Sequence, residues 1–159
     1  MSKIAPFLWY EKDAEQAARF YVSLLPDSSF DGITTMPADS PSGPEGSVQV
    51  VDFTLAGQQY VAMNAGKLDP FNHAVSFLIY CDNQPEIDRL WKAHLDNGGA
   101  EQQCGWLKDR WGLYWQICPR AMLEMMRSRD RAAAKRATLA MMKMVKLDIA
   151  TLQKAFDGA

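Results

Sequence analysis

Phe7-Leu8-Trp9-Tyr10 and Phe77-Leu78-Ile79-Tyr80 are nearly the same tetrapeptide, and the shift of 70 residues between them keeps working downstream. It pairs Asp13 with Asn83, Arg19 with Arg89, Tyr21 with Trp91 and Leu25 with Leu95. Self-similarity at a fixed offset marks a duplicated unit. Each copy reads as a short strand, a polar break and a helix.

The first helix follows Asp13, a candidate cap, with Gln16 three residues on to complete a capping box. Ala14, Ala17, Ala18, Tyr21, Leu24 and Leu25 make one apolar stripe, and Pro26-Asp27 ends it. In the second copy Asn83 is the candidate cap and Pro85 sits in the first turn, where a missing N–H is harmless. Ile87, Leu90, Trp91 and Leu95 form its stripe, stopped by Asn97-Gly98-Gly99. After the first helix, residues 29–36, 47–55 and 58–64 have strand character, with a Pro- and Gly-rich loop over 37–46 and a tight hairpin at Ala56-Gly57. After the second, residues 104–108 and 113–118 alternate as strands. The reading is an α+β fold of two βαβββ modules, about residues 1–65 and 71–119. Their sheets pair side by side into a curved, half-open barrel with the helices on its convex face.

From Arg120 the pattern turns helical. Ala133, Ala137, Ala140, Met141 and Met144 share a face, and Asp148 caps a last helix carrying Ile149, Leu152 and Phe156. Six of the nine methionines fall here, as packing residues. Residues 1–119 carry 8 Lys+Arg against 15 Asp+Glu, and residues 120–159 carry 9 against 4. A basic tail on an acidic body predicts packing of residues 120–159 on the body or on a partner subunit, in a homodimer. Asp130, Asp148 and Asp157 interrupt the basic residues, which argues against nucleic acid. No run reaches the roughly 20 apolar residues that span a bilayer, and Met1-Ser2-Lys3-Ile4-Ala5-Pro6 has no apolar signal segment, so no membrane role and a cytoplasmic location are the expectations. Cys81, Cys104 and Cys118 have no CxxC spacing and read as small buried hydrophobes.

Period-two alternation assigns the faces of the first strands. Phe7/Trp9 and Phe77/Ile79 are placed beneath the helices. Pro6, Leu8 and Tyr10, with Ser76, Leu78 and Tyr80, are then placed toward the cleft. Trp115, of opposite parity to Gln116, is placed against the helix layer, whereas the face of Trp106 stays open.

The two-module plan resembles the vicinal oxygen chelate superfamily of glyoxalases, dioxygenases and bleomycin and fosfomycin resistance proteins. Within it the chain closely resembles the PhnB-like branch, also labelled demethylubiquinone methyltransferase-like. The segment Cys104-Gly105-Trp106-Leu107-Lys108-Asp109-Arg110-Trp111-Gly112-Leu113-Tyr114-Trp115-Gln116-Ile117-Cys118-Pro119 carries the resemblance, with residues 77–82, 88–91 and 144–155. Metal-dependent members of the superfamily place His or Glu on the first and last strands of each module. Carried over, those positions fall on Pro6, Ser76, Gln116 and a residue within 61–64, none of them a carboxylate or imidazole. The resemblance thus implies a degenerate site with no protein-held metal. An alternative gapped alignment makes His73 a first-strand ligand, although its parity is opposite to that of Ser76; His94 falls on a helical apolar stripe. The methyltransferase label implies S-adenosylmethionine, yet the glycine-rich doubly wound pattern is absent, so no cofactor is expected.

The favoured function is small-molecule binding. Leu8, Tyr10, Leu78 and Tyr80 would wall the cleft, and Asn64, Ser76 and Gln116 would supply hydrogen bonds. The alternatives are a divalent-metal lyase, isomerase or dioxygenase, and a non-catalytic dimeric interaction protein.

Overall fold

The computed structural model describes residues 3–66 and 69–159. Met1 and Ser2, which open the N-terminal segment and the first module of the sequence reading, lie outside the described residues, as do Lys67 and Leu68 between the modules. The chain divides into two units, Met1–Pro70 and Phe71–Ala159.

The first unit runs β1 (Phe7–Tyr10), α1 (Ala14–Val22), β2 (Ser29–Thr35), β3 (Gln49–Leu55) and β4 (Gln58–Asn64). Its open sheet has the order β1-β4-β3-β2, parallel between β1 and β4 and antiparallel elsewhere. The β3–β4 hairpin turns at Ala56 and Gly57 with φ of 46° and 78°, the paired left-handed geometry that suits the twist of a two-residue turn. One face of the sheet packs under α1. Leu8, Val51, Phe53 and Ala62 are buried there, and the Tyr10 hydroxyl lies 3.0 Å from that of Tyr21 on α1. Phe53 also packs near Tyr21, at 6.4 Å between ring centroids, and stacks on Tyr60, whose phenol burial pushes above its ordinary pKa.

This arrangement reverses the predicted faces of β1. Leu8 and Tyr10 are beneath the helix, while Phe7 and Trp9 are 52% and 46% exposed on the opposite side. The cause is one residue. Glu11, Lys12 and Asp13 separate β1 from α1, but in the second unit only Asp82 and Asn83 separate strand from helix. Moving a strand by one residue sends every side chain to the other face. The 70-residue shift therefore aligns the helices but not the strands.

The second unit repeats the plan: β5 (Ser76–Cys81), α2 (Gln84–Asp96), β6 (Ala100–Glu101), β7 (Trp106–Lys108) and β8 (Tyr114–Pro119), in the order β5-β8-β7-β6. Here the predicted faces hold. Ile79, Cys81, Leu107, Trp115 and Ile117 are buried, with α2 supplying Ile87, Leu90, Trp91 and His94. Trp115 is 2% exposed, packs edge-on to Phe77 and near His94, and donates its indole N–H to Asp109. Asp109, itself buried, also accepts the backbone N–H groups of Trp111 and Leu113, so one carboxylate holds the whole β7–β8 turn.

The helix caps differ from expectation at one end. Asn83 accepts from the Glu86 N–H as predicted, and Asp148 from that of Thr151. Asp13 makes no side-chain cap; Asn64, at the end of β4, accepts the Ala14 N–H at 2.9 Å instead.

The tail forms α3 (Arg120–Arg127), α4 (Arg131–Met141) and α5 (Ile149–Asp157). Met122, Met125, Ala137, Leu147 and Leu152 cluster with Cys118, and Leu78, Met141, Met144 and Phe156 pack against them. Cys118 and Leu78 are on the sheet face turned away from α2, so the tail lies on that face of its own unit.

Candidate functional site

The face of the second sheet turned away from α2 carries a row of side chains fixed by register. Ser76 stands opposite Tyr114, and Gln116 lies between Leu78 and Trp106. The Gln116 Nε2 donates to Ser76 Oγ at 2.9 Å, which orients both across the strands. Beside this pair is a cavity of about 400 Å³ lined by His73, Gln102, Gln103, Cys104, Trp106 and Tyr114. Tyr114 meets His73 edge-on at 5.7 Å and Trp106 at 6.5 Å between ring centroids. β7 and β8 aim the two aromatic rings, the turn before β5 brings His73, and the β6–β7 turn supplies Gln102, Gln103 and Cys104.

Of the seven residues expected at a common cleft, Ser76, Leu78, Tyr80 and Gln116 share one face of the second sheet, and the other three belong to the first unit. Leu8 and Tyr10 face α1 in the first unit, for the turn-length reason above, and Asn64, in register with Tyr10, caps that helix. Leu78 packs against the tail. Tyr80 has the Arg120 guanidinium 5.1 Å from its ring centroid, and that guanidinium also pairs with Asp82. Ser76 and Gln116 adjoin the cavity's two aromatic residues across the ladder. His73, a first-strand ligand in the alternative gapped alignment, lines the cavity.

The residues that sequence reasoning missed are Gln102, Gln103, Cys104, Trp106 and Tyr114. Tyr114 was within reach, because it shares its face with Gln116 two positions on. The turn was not, since Cys104 enters it with φ of 61°, an uncommon conformation for a residue with a side chain.

The donor set does not fit the divalent ion of the wider superfamily. Among the described residues no three His, Cys, Asp or Glu come together around one point. The cavity offers one imidazole, one thiol and neutral amides, whereas ions such as zinc are held by several such donors together. His94 belongs elsewhere: it is buried, its Nδ1 is 2.9 Å from the Leu90 carbonyl, and burial pushes its pKa below the ordinary value. The buried thiols of Cys81 and Cys118 are pushed up to about 12 and about 11, chiefly by burial.

Two open four-stranded sheets, each with a parallel pair at one edge and a helix between its first two strands, define an α+β protein of the vicinal oxygen chelate class. The family model described as 3-demethylubiquinone-9 3-methyltransferase matches residues 2–118, and the chain belongs to that family.

Among solved structures, a putative 3-demethylubiquinone-9 3-methyltransferase, PhnB protein, from Bacillus cereus is 31% identical. The alignment covers 74% of this chain and 99% of that one, with a TM-score of 0.65. Protein PA1353 from Pseudomonas aeruginosa is 19% identical over 75% of this chain and 98% of its own, with a TM-score of 0.55, and shares the fold. No curated protein matches. The family match ends at Cys118, so residues 144–155, which the sequence reading included in the resemblance, lie outside it.

The family's description names a methyltransferase, and the S-adenosylmethionine this implies does not fit the residues either. The β1–α1 and β5–α2 turns contain no glycine, and neither sheet has the doubly wound parallel order with a ligand crevice at its switch point. No helix among the described residues is long and apolar enough to cross a membrane.

Proposed function

We propose that the chain binds an uncharged, planar aromatic or heteroaromatic small molecule beside the face of its second sheet that is turned away from α2. The observation that carries this reading is the cavity of about 400 Å³ walled by Trp106, Tyr114 and His73. Its volume falls within the roughly 300–1,000 Å³ of drug-sized ligand sites. Its rings suit stacking and edge-on contact, and Gln102 and Gln103 at its wall bring neutral donors and acceptors rather than charge. The bond from Gln116 to Ser76 orients both side chains on the neighbouring floor. The divalent-metal alternative finds no group of three His, Cys, Asp or Glu among the described residues, and a non-catalytic dimeric interaction protein has no need of an aromatic cavity.

The neutral naphthalene dye prodan is a suitable probe, because it pairs a planar apolar body with a ketone acceptor. Saturable binding with blue-shifted emission is expected, weakened about tenfold by Trp106→Leu through loss of ring contact. Binding that ignores Trp106→Leu would place the ligand elsewhere.

The reading includes a cytoplasmic homodimer. Phe7 and Trp9, exposed together on the first sheet, are the kind of apolar surface a second copy covers. Light scattering should then give close to twice the 17.9 kDa chain mass, and a mass of one chain at high micromolar concentration removes the dimer.

A further inference from the structure

The turn that builds one wall of the cavity is held by the tail. Gln102, Gln103 and Cys104, followed by Gly105 and Trp106, form a loop whose own bonds are few: the Gln102 N–H donates to the Trp106 carbonyl and the Trp106 N–H to that of Gln103. The backbone N–H groups of Cys104 and Gly105 point outward instead and are taken up by the tail carbonyls of Met144 and Val145, at 2.8 and 2.7 Å. On its inner side the Gly105 carbonyl accepts from the Ile117 N–H of β8 at 2.8 Å. The loop is therefore gripped between the sheet and residues 144–147.

Sequence is committed to this grip at two positions. Gly105 has φ of 81°, and a Cβ there would stand 2.8 Å from the Leu147 side chain, so both conformation and space call for glycine. Leu147 is 1% exposed. The tail segment is latched in turn to α2. The Gln84 side chain donates to the Leu147 carbonyl and accepts from the Ile149 N–H, and Lys146 pairs with Asp88, whose carboxyl is held below its ordinary pKa first by Lys146 and then by Gln84. The gripping segment, residues 144–149, lies beyond Cys118, where the family match stops.

We propose that residues 144–147 are a clamp on the ligand site, so that docking of the tail and occupation of the cavity form one linked equilibrium. This rests on the cavity being the ligand site. Linkage is reciprocal: a docked tail holds the wall in its binding shape, and a bound molecule holds the tail down by the same free energy. Leu147 and Gln84 are positioning residues that touch no ligand. Residues outside the shared family core would thereby tune what this chain binds.

The test combines prodan titration with amide hydrogen exchange on the full chain. Two variants loosen the clamp without touching the cavity: Leu147→Ala removes the buried contact at Gly105, and Gln84→Ala removes the latch from a half-buried position that folding tolerates better. In wild type, prodan should slow exchange at the Cys104 and Gly105 amides. In either folded variant those two amides should exchange faster, and prodan affinity should drop about tenfold if the clamped population falls to about a tenth. Wild-type binding that depends on Trp106 but is unchanged in both variants overturns the clamp and leaves the ligand site standing. Wild-type binding indifferent to Trp106→Leu overturns the ligand site itself. Unchanged exchange at both amides in the variants also overturns the clamp.

Discussion

In the first module Leu8 and Tyr10 lie beneath the helix and Trp9 is bare; in the second, Ile79 and Cys81 lie beneath it and Leu78 turns away into the tail. The helices behave differently. Ala17 and Ile87, Tyr21 and Trp91, Leu24 and His94 are buried at matching places, all at the same 70-residue offset. Likeness in sequence and equivalence in space therefore part company at a turn of three residues in one copy and two in the other. A helix tolerates such a change by sliding or rotating a little, whereas a strand has only two faces and must choose.

The strongest way to break this comparison is to equalise the turns. Deleting Lys12 gives the first module the shorter connection, and with α1 in place Phe7 and Trp9 are driven into space shaped for Leu8 and Tyr10. The buried Tyr10–Tyr21 hydrogen bond is lost as well. Overpacking at two positions and that broken bond predict a loss of roughly 3–6 kcal/mol in a denaturant melt. A loss under about 1 kcal/mol would mean that the shortened turn stretches and β1 keeps its register on β4 rather than flipping.

Next is the contrast between two tryptophans. Trp115→Ala should cost roughly 3–5 kcal/mol, as truncation of a large buried ring does. Trp9→Ala, exposed on the isolated chain, should stay within about 0.5 kcal/mol in protein dilute enough to be monomeric. Equal effects in concentrated protein would show that Trp9 is covered in solution, for instance by a second copy.

The caps sharpen the comparison at smaller scale. Asn64→Ala should cost about 1–2 kcal/mol and Asn83→Ala about 1 kcal/mol, because each accepts a helix N-terminal N–H. Asp13→Ala should change stability by less than about 0.5 kcal/mol, since its side chain makes no cap bond. The opposite order for Asn64 and Asp13, read from thermal melts, would restore the local cap.

The gentlest contrast is in pH. Burial holds His94 below its ordinary pKa, and its bond to the Leu90 carbonyl only partly offsets this. Below about 6.5 the unfolded chain takes up a proton that the folded chain refuses. Stability from this site is complete above that pH and is lost as pH falls toward the lower folded value. His94→Leu, which copies Leu24, should flatten that part of the melting profile. A wild-type profile flat between about pH 7.5 and 5.5 would mean that His94 is no more buried in solution than an ordinary histidine.

Much of the fold was legible because duplication, caps and hairpin signals are local. Asn83, Asp148 and Ala56-Gly57 each announce an element within a few residues of themselves. The parity of β1 was not legible, because Glu11, Lys12 and Asp13 look like any polar break and nothing in them states how many residues the turn consumes. For the same reason Asn64 was read as a cleft residue: its partner, Ala14, is fifty positions away. Of the cleft expectations in the second unit, Ser76 followed from alternation, whereas Gln116 was placed by the superfamily resemblance. The wall formed by Gln102, Gln103 and Cys104 depends on carbonyls of Met144 and Val145, and backbone partners leave no mark on side-chain pattern.

The three cysteines give the molecule a set of chemical timers. Only thiolates react readily with alkylating agents, so Cys81 and Cys118, pushed to about 12 and about 11, are shielded twice over, by chemistry and by cover. Cys118 is covered by the tail cluster and Cys81 lies on the helix face of the sheet. Each can be labelled only when its own lid lifts. The rate at which Cys118 is modified then reports how often the tail departs, the rate for Cys81 reports opening of the layer beneath α2, and half-buried Cys104 sets the fast reference against which both are read.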